Sequence, residues 1–277
     1  MSGFAPLALT VLLIFAALFG LVIGSFLNVV IYRVPAGIPL TRSSRCPHCG
    51  HAIRWWQNVP VLSWLALRGK CASCRSPISA RYPLVELLTG VAFVVVVWWF
   101  AAALPRTGGA WAWTIETVAF LYLAAVSIAL AAIDLDTRRL PNAIVLPSYA
   151  VVGGLLTAAC IAGAPWSSLL RAAIGMAALY VFYFLLRVIR PGGMGGGDVK
   201  LAGVIGLALG WLGWAPLIVG AFAAFVLGGV YGILLILLRR AGRRSAIPFG
   251  PWMILGAWTG GFAGESLARW YVGLITG

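Results

Sequence analysis

Long uninterrupted apolar runs organise this chain, rather than a regular alternation of apolar and polar positions. Uncharged stretches extend from Phe4 to Tyr32, Leu87 to Pro105, Thr117 to Ile133, Ala143 to Leu170, Ala172 to Leu186, Leu201 to Leu238 and Ser245 to Gly264. A helix crossing the hydrocarbon core takes about 20 residues, so each run predicts a spanning helix. The stretch from Leu201 to Leu238 is too long for one span, and the turn-like Gly210-Trp211-Leu212-Gly213-Trp214-Ala215-Pro216 divides it. The pattern therefore predicts an all-α polytopic membrane protein of about eight transmembrane helices, Ala172 to Leu186 being the shortest. The first run is long and no Lys or Arg precedes it, so it reads as a retained span and not a cleaved signal peptide.

Composition agrees, with 62% hydrophobic and 9% charged residues and a mean hydropathy of +1.01, outside the range of water-soluble domains. A formal charge of +14 would suit nucleic acid, but the basic residues sit in alternate loops, so no nucleic-acid partner is expected. The segment from Arg33 to Arg81 holds eight Lys or Arg and no acid. Adding Arg138, Arg139, Arg187, Arg190, Lys200, Arg239, Arg240, Arg243 and Arg244 puts 17 of the 20 on one side, leaving Arg106, Arg171 and Arg269 on the other. The positive-inside rule makes the first side cytoplasmic, and eight spans then put both termini outside, periplasmic in an inner membrane. The lipid bilayer is the one partner that composition itself implies.

The one sizeable polar segment, between the first two spans, carries Cys46-Pro-His-Cys49 and Cys71-Ala-Ser-Cys74, separated by 21 residues. Two C-x2-C knuckles bring four thiolates to tetrahedral spacing around Zn2+, and a loop with little core of its own gains stability from a metal. A reducing cytoplasmic face disfavours the disulfide alternative. Four cysteines would close the site, which predicts structural zinc on Cys46, Cys49, Cys71 and Cys74. His48 and His51 are possible substitutes as ligands, and Cys160 reads as a small packing residue. These boundaries divide the chain into a first helix at 1–32, a cytoplasmic zinc-ribbon-like domain at 33–83 and a seven-helix membrane domain at 84–277.

Only six acids exist: Glu86, Glu116, Asp134, Asp136, Asp198 and Glu265. Carboxylates at a membrane are candidates for function. Glu116 and Glu265 are expected at solvated outer ends of spans, and Glu86 to cap or orient the second helix. Asp134 closes the third span and Asp198 opens the sixth, after Gly192-Gly193-Met194-Gly195-Gly196-Gly197. The distribution of Lys and Arg puts both at the cytoplasmic face, where they can meet. Two carboxylates in a poorly solvated site share one proton and so form an acid–base pair. In aspartyl proteolysis the ionised member takes a proton from water while the protonated member polarises the scissile carbonyl. Asp198, near a helix amino terminus and Lys200, is the expected anion. Gly195 and Gly197 would let an extended substrate approach. Asp136, about 200° around the helix from Asp134, is expected beside Arg139 at the surface.

In order and along nearly the whole chain, these residues resemble the type IV prepilin peptidases. Gly24-Ser25-Phe26-Leu27-Asn28-Val29, Arg33 and Pro35 look like that family's opening motif, followed by both knuckles with Asn58-Val59-Pro60, Ser63-Trp64 and Arg68-Gly69-Lys70 between them. Ile78-Ser79-Ala80-Arg81-Tyr82-Pro83 and Glu86, Ile133-Asp134 with Leu140-Pro141, Gly193 to Lys200, and Pro248-Phe249-Gly250-Pro251 continue the match. The resemblance implies a bacterial inner-membrane aspartyl protease that cuts a short basic leader from type IV prepilins or type II secretion pseudopilins, with Asp134 and Asp198 catalytic. It also implies methylation of the new amino terminus from S-adenosyl-L-methionine. No soluble-type nucleotide fingerprint marks a site for that donor, and the loop Arg68-Gly69-Lys70 is the place considered. The rival is a multispan transporter or assembly scaffold with a zinc-stabilised loop. It would place polar residues near mid-membrane, whereas both aspartates lie at helix ends. Another Gly-x-Gly-Asp intramembrane protease would lack the cysteine module.

Overall fold

The computed structural model describes residues 6–102, 108–190, 192–238 and 248–276. Arg106, Arg239, Arg240, Arg243, Arg244 and the predicted start of the last span at Ser245 lie outside the described residues. The described chain is helical: α1 (Pro6–Arg33), the short α2 (Leu62–Ala66) after a 3₁₀ turn at Trp55–Asn58, α3 (Arg81–Ala102), α4 (Gly109–Thr137), α5 (Asn142–Ile161), α6 (Trp166–Ile189), α7 (Gly196–Leu212), α8 (Trp214–Leu237) and α9 (Gly250–Thr276). No strand occurs among the described residues, only two isolated bridges, Arg45 with Ala52 and Lys70 with Pro77. The eight long helices correspond in order to the eight apolar runs. Six of them, α1, α3, α4, α5, α6 and α8, are long and apolar enough to cross a membrane, so this is a multi-pass membrane protein. Helices are the expected solution because lipid offers no partner to a backbone amide, and a helix satisfies its own.

The fourth run differs from expectation. Its helix stops at Ile161 and the next begins at Trp166, after Gly163 in a positive-φ conformation and Pro165 in an extended one. Leu170 therefore belongs to α6, which has 24 residues, not the 15 of its uncharged stretch. Uniformly apolar sequence carries no periodicity to mark such a boundary, so only the Gly and Pro could signal it.

Two compact units divide the chain. One comprises Met1–Pro105 with Phe120–Ala129, the other Arg106–Ala119 with Leu130–Gly277. In the first unit α1 and α3 pack through small residues: a Cβ on Gly20 would lie 2.8 Å from Gly90 Cα, and one on Gly24 2.6 Å from Glu86 Cα. Apolar helices gain nothing from hiding from lipid, so close backbone approach must supply the attraction. The opening motif of the sequence secures this corner. Asn28 Nδ2 donates to Tyr82 O at 3.0 Å. The buried Arg33 guanidinium donates to Leu40 O at 2.9 Å, to Arg42 O and to Ser44 Oγ at 3.2 Å, fixing the start of the polar loop.

In the second unit α7 is the central helix, with every residue from Leu201 to Trp211 buried. A Cβ on Gly210 would stand 2.9 Å from Ala172 Cα of α6. Helices α8 and α9 interlock the same way, through Gly256 against Ala224 and Gly264 against Pro216. The expectation of a solvated Glu116 is corrected here: it is 8% exposed, and Oε1 has no hydrogen-bond partner among the described residues. Glu116 lies beside Trp211, because the first turns of α4 pack within this unit and not against water.

Candidate active site and metal centre

Asp134 occupies the last turn of α4 and is 4% exposed. The helix ends there because Arg138 turns into the left-handed region, φ 53°, and returns its N–H to Asp134 O at 2.8 Å. The side chain is held from another element: the N–H of Gly250, at the start of α9, donates to Asp134 Oδ2 at 3.0 Å. A Cβ at Gly250 would come within 2.7 Å of that oxygen. The resemblance that covers Pro248-Phe249-Gly250-Pro251 assigns Gly250 no role. A glycine just before a proline at a helix start is the available signal for a backbone donor facing a carboxylate.

Asp198 sits in the first turn of α7, half-buried, and Oδ2 accepts the N–H of Gly195 at 2.9 Å. This is the side-chain half of a capping box, so the carboxylate terminates its own helix. The two acids, 64 positions apart in sequence, lie within electrostatic reach of each other. Leu140 joins their surroundings: its Cβ would be 2.8 Å from a Cβ on Gly197, and its Cδ2 3.3 Å from one on Gly250. A side chain at Gly197 would therefore displace Leu140, which also borders Gly250. Tyr183 lies within electrostatic reach of Asp198 and packs on Phe225 and Phe249, with ring centroids 5.5 Å and 6.4 Å away. This aromatic cluster walls the site with apolar surface.

Lys200, two residues beyond Asp198, is anchored on another helix. Its ammonium donates to Asn142 Oδ1 at 2.9 Å, and its carbonyl accepts Tyr149 Oη at 2.5 Å. Lys200 thus ties α7 to α5. Asp136 is exposed, on the far side of α4 from Asp134.

In the first unit the four cysteines converge, their sulfurs all within 4.8 Å of one another and Cys46 Sγ 3.8 Å from Cys74 Sγ. A tetrahedral metal with bonds of about 2.3 Å to sulfur has edges of about 3.8 Å, so the donor set fits a tetrahedral thiophilic ion. Neither histidine joins the cluster. The knuckles repeat each other with an offset of 25 residues. Cys46 N–H donates to His51 O and Gly50 N–H to Cys46 O, as Cys71 N–H does to Ser76 O and Arg75 N–H to Cys71 O. The residue after each second cysteine is left-handed: Gly50 at φ 70°, Arg75 at φ 60°.

Backbone donors prepare the sulfurs for charge. The N–H groups of Cys49 and His48 hold the Cys46 thiol down to about 6, and the Ser76 hydroxyl lowers that of Cys74. Cys49 receives the N–H of His51, yet lost hydration and the adjacent Cys74 and Cys46 sulfurs push it up to about 11. Four thiolates in this volume would repel one another, so the cluster suits a bound cation.

Comparison with known proteins gives one consistent result. Residues 18–100 match the Bacterial Peptidase A24 N-terminal domain and residues 121–233 the Type IV leader peptidase family. A prepilin leader peptidase/N-methyltransferase of Aeromonas hydrophila is 36% identical, over 92% of this chain and 92% of its own length. Proteins of the same name from Stutzerimonas stutzeri and Neisseria gonorrhoeae are 34% and 36% identical, over 93% and 92% of this chain and 92% and 91% of theirs. No solved structure matches. With relatives of this identity along almost the entire chain, and both parts of the family represented in order, the protein belongs to the type IV leader peptidase family.

Proposed function

We propose that this protein removes the short basic leader from type IV prepilins or type II secretion pseudopilins and methylates the amino terminus it exposes. The observation that carries the peptidase reading is the pair Asp134 and Asp198, each at a helix end, each gripped by one backbone N–H, beside the glycines at 195 and 197. Asp198 is the anion: the first turn of α7 stabilises its charge, whereas Asp134 faces the unfavourable end of α4. Asp198 takes a proton from the attacking water while the protonated Asp134 polarises the scissile carbonyl. The shared proton then passes to the leaving amine. Burial of the aromatic wall keeps competing water away and strengthens both interactions. Gly195 and Gly197 admit an extended substrate backbone, and Lys200 holds α7 in register through Asn142.

The chain is embedded in a bacterial inner membrane. Its distribution of Lys and Arg supports the cysteine segment and both acids facing the cytoplasm, with the termini periplasmic. Residues 33–83 form a separate domain around structural zinc held by Cys46, Cys49, Cys71 and Cys74, and residues 84–277 form the peptidase portion. S-adenosyl-L-methionine supplies, when bound, the electrophilic methyl group for the second activity. The rival reading as a transporter or scaffold has no observation in its favour, since the acids lie at helix ends and the named relatives are peptidases.

Incubating membranes with a synthetic prepilin and measuring product masses tests both activities together. Loss of the leader mass and gain of one methyl are expected. Unprocessed peptide with folded wild-type protein overturns the reading.

A further inference from the structure

The polar segment between α1 and α3 presents two unlike faces. Inward, Ser63, Trp64 and Glu86 join Cys46 and Cys71 around a cavity of about 240 Å³. Outward, Trp55 is 84% exposed and Leu62 65%, with Trp56 and Leu65 exposed as well, and none of these four lies in the cavity wall. The 3₁₀ turn and α2 bury no residue of their own, although they pack on each other. Neither the peptidase chemistry nor metal binding by the cysteines calls on that outer face. We propose that it seats on an anionic lipid surface: Trp55, Trp56, Leu62 and Leu65 enter the boundary between headgroups and acyl chains, and the basic residues of the segment contact lipid phosphates.

Depth favours lipid as the occupant. Helix α3 has 22 residues and so measures about 33 Å, close to a hydrocarbon core of about 30 Å, beyond which lies an interfacial layer of about 5–8 Å. The start of α2 is fastened beside that boundary. Val61 N–H donates to the buried Glu86 Oε2 at 2.7 Å, and Glu86 lies about 7.5 Å along α3 from its first residue, Arg81. Val61 takes φ 60° there, unfavourable for a β-branched residue, so the fastening outweighs a local preference. Tyr32 in the last turn of α1 and Tyr82 in the first turn of α3 are both exposed, and the bond from Asn28 Nδ2 to Tyr82 O brings these helix ends together. Trp and Tyr concentrate at the interfacial layer because each joins an apolar ring to a polar N–H or O–H.

Charge selects the kind of lipid. Arg42, Arg45, Arg54, Arg68, Lys70 and Arg75 are exposed, and residues 33–81 contain no acid. Such a surface attracts anionic headgroups and repels a basic leader peptide, so the leader does not rest here. An acidic protein would answer the charges, yet it would have to reach large apolar side chains held at the level of the headgroups. Exposed apolar residues flanked by cations at that depth fit an interfacial element, which draws binding from both sources at once.

Lipid photolabelling of the full-length protein in nanodiscs tests the assignment, using phosphatidylglycerol with a diazirine high in its acyl chain and mapping adducts by mass spectrometry. Label is expected within residues 53–66 and on the exposed Phe222 of α8, which serves as the internal standard. Trp55→Ser with Trp56→Ser should lower the label in 53–66 at least about fivefold relative to that standard, and Leu62→Ser with Leu65→Ser should act in the same direction. Diluting the probe in phosphatidylcholine instead of phosphatidylglycerol, or adding 1 M salt, should lower it at least about twofold. Thermal midpoint establishes that each variant is folded, and if one pair fails to fold the other decides. No label in 53–66 while Phe222 is marked, or label undiminished in a folded variant, overturns the lipid contact. Equal label in neutral and anionic bilayers overturns the anionic preference. Protection of 53–66 only on adding a protein partner, with no lipid adduct, gives the face to that protein instead.

Discussion

The cysteine cluster and the aspartate pair solve one problem by different means. Each gathers groups that repel one another when charged. The cysteines do so with a repeated local turn, in which hydrogen bonds of the same register form at Cys46 and again at Cys71, giving a donor set that could hold a metal ion. The aspartates have no such local repeat. They come within electrostatic reach of each other from the buried α7 and the end of α4 at Arg138, and Gly250 lends Asp134 an N–H from 116 positions away. A locally encoded site should lose its ligand before its fold, whereas a site made by packing should lose activity from displacements far too small to unfold it.

The largest effect expected on this contrast is at the acids. Asp134→Asn and Asp198→Asn should each reduce leader cleavage by about 10³-fold or more with metal content unchanged, read by mass measurement of a synthetic prepilin. Normal processing by either variant would remove that residue from the mechanism.

Gly250→Ala comes next. Its Cβ would press on Asp134 Oδ2, and misplacement by about 1 Å costs on the order of 10²-fold. Cleavage should fall by about that factor while helicity and thermal midpoint stay near wild type, so wild-type rates would deny Gly250 its positioning role.

On the cysteine side, Cys46→Ser should leave less than one zinc per chain and make residues 33–83 sensitive to protease. Acid should act similarly. Each ligand must be a thiolate to bind, so protons compete with the metal as pH falls. Metal content measured by emission spectroscopy from pH 8 to 5 would report the loss, and occupancy independent of pH would contradict the thiolate ligation.

The smallest effect tests the repeat itself. Gly50 and Arg75 hold equivalent left-handed positions, which favour glycine. Arg75→Gly should stabilise the metal-loaded module by no more than about 1 kcal/mol, seen as a slightly higher resistance to thermal unfolding. A lower midpoint would mean that the Arg75 side chain matters more than its backbone.

How legible these features were follows from their range. Helix number came from run length alone, and the ligand set from C-x2-C spacing, because both are short-range consequences of composition. The break at Gly163 and Pro165 was visible as residues but not as a boundary, since lipid-facing sequence is apolar on all sides. Glu116 lies beside Trp211, 95 positions away, a contact that no local pattern marks.

Sequence by itself determined a multi-pass helical chain, a segment able to gather four thiolates and two carboxylates at helix ends, since each depends on hydrophobicity or local spacing. Tertiary structure alone decided which backbone N–H groups hold those carboxylates, which glycines let helices touch, and that Glu86, Trp64 and the knuckles enclose a cavity. Those are contacts between residues far apart in the chain, fixed by the shape of packed helices, and no local pattern encodes them.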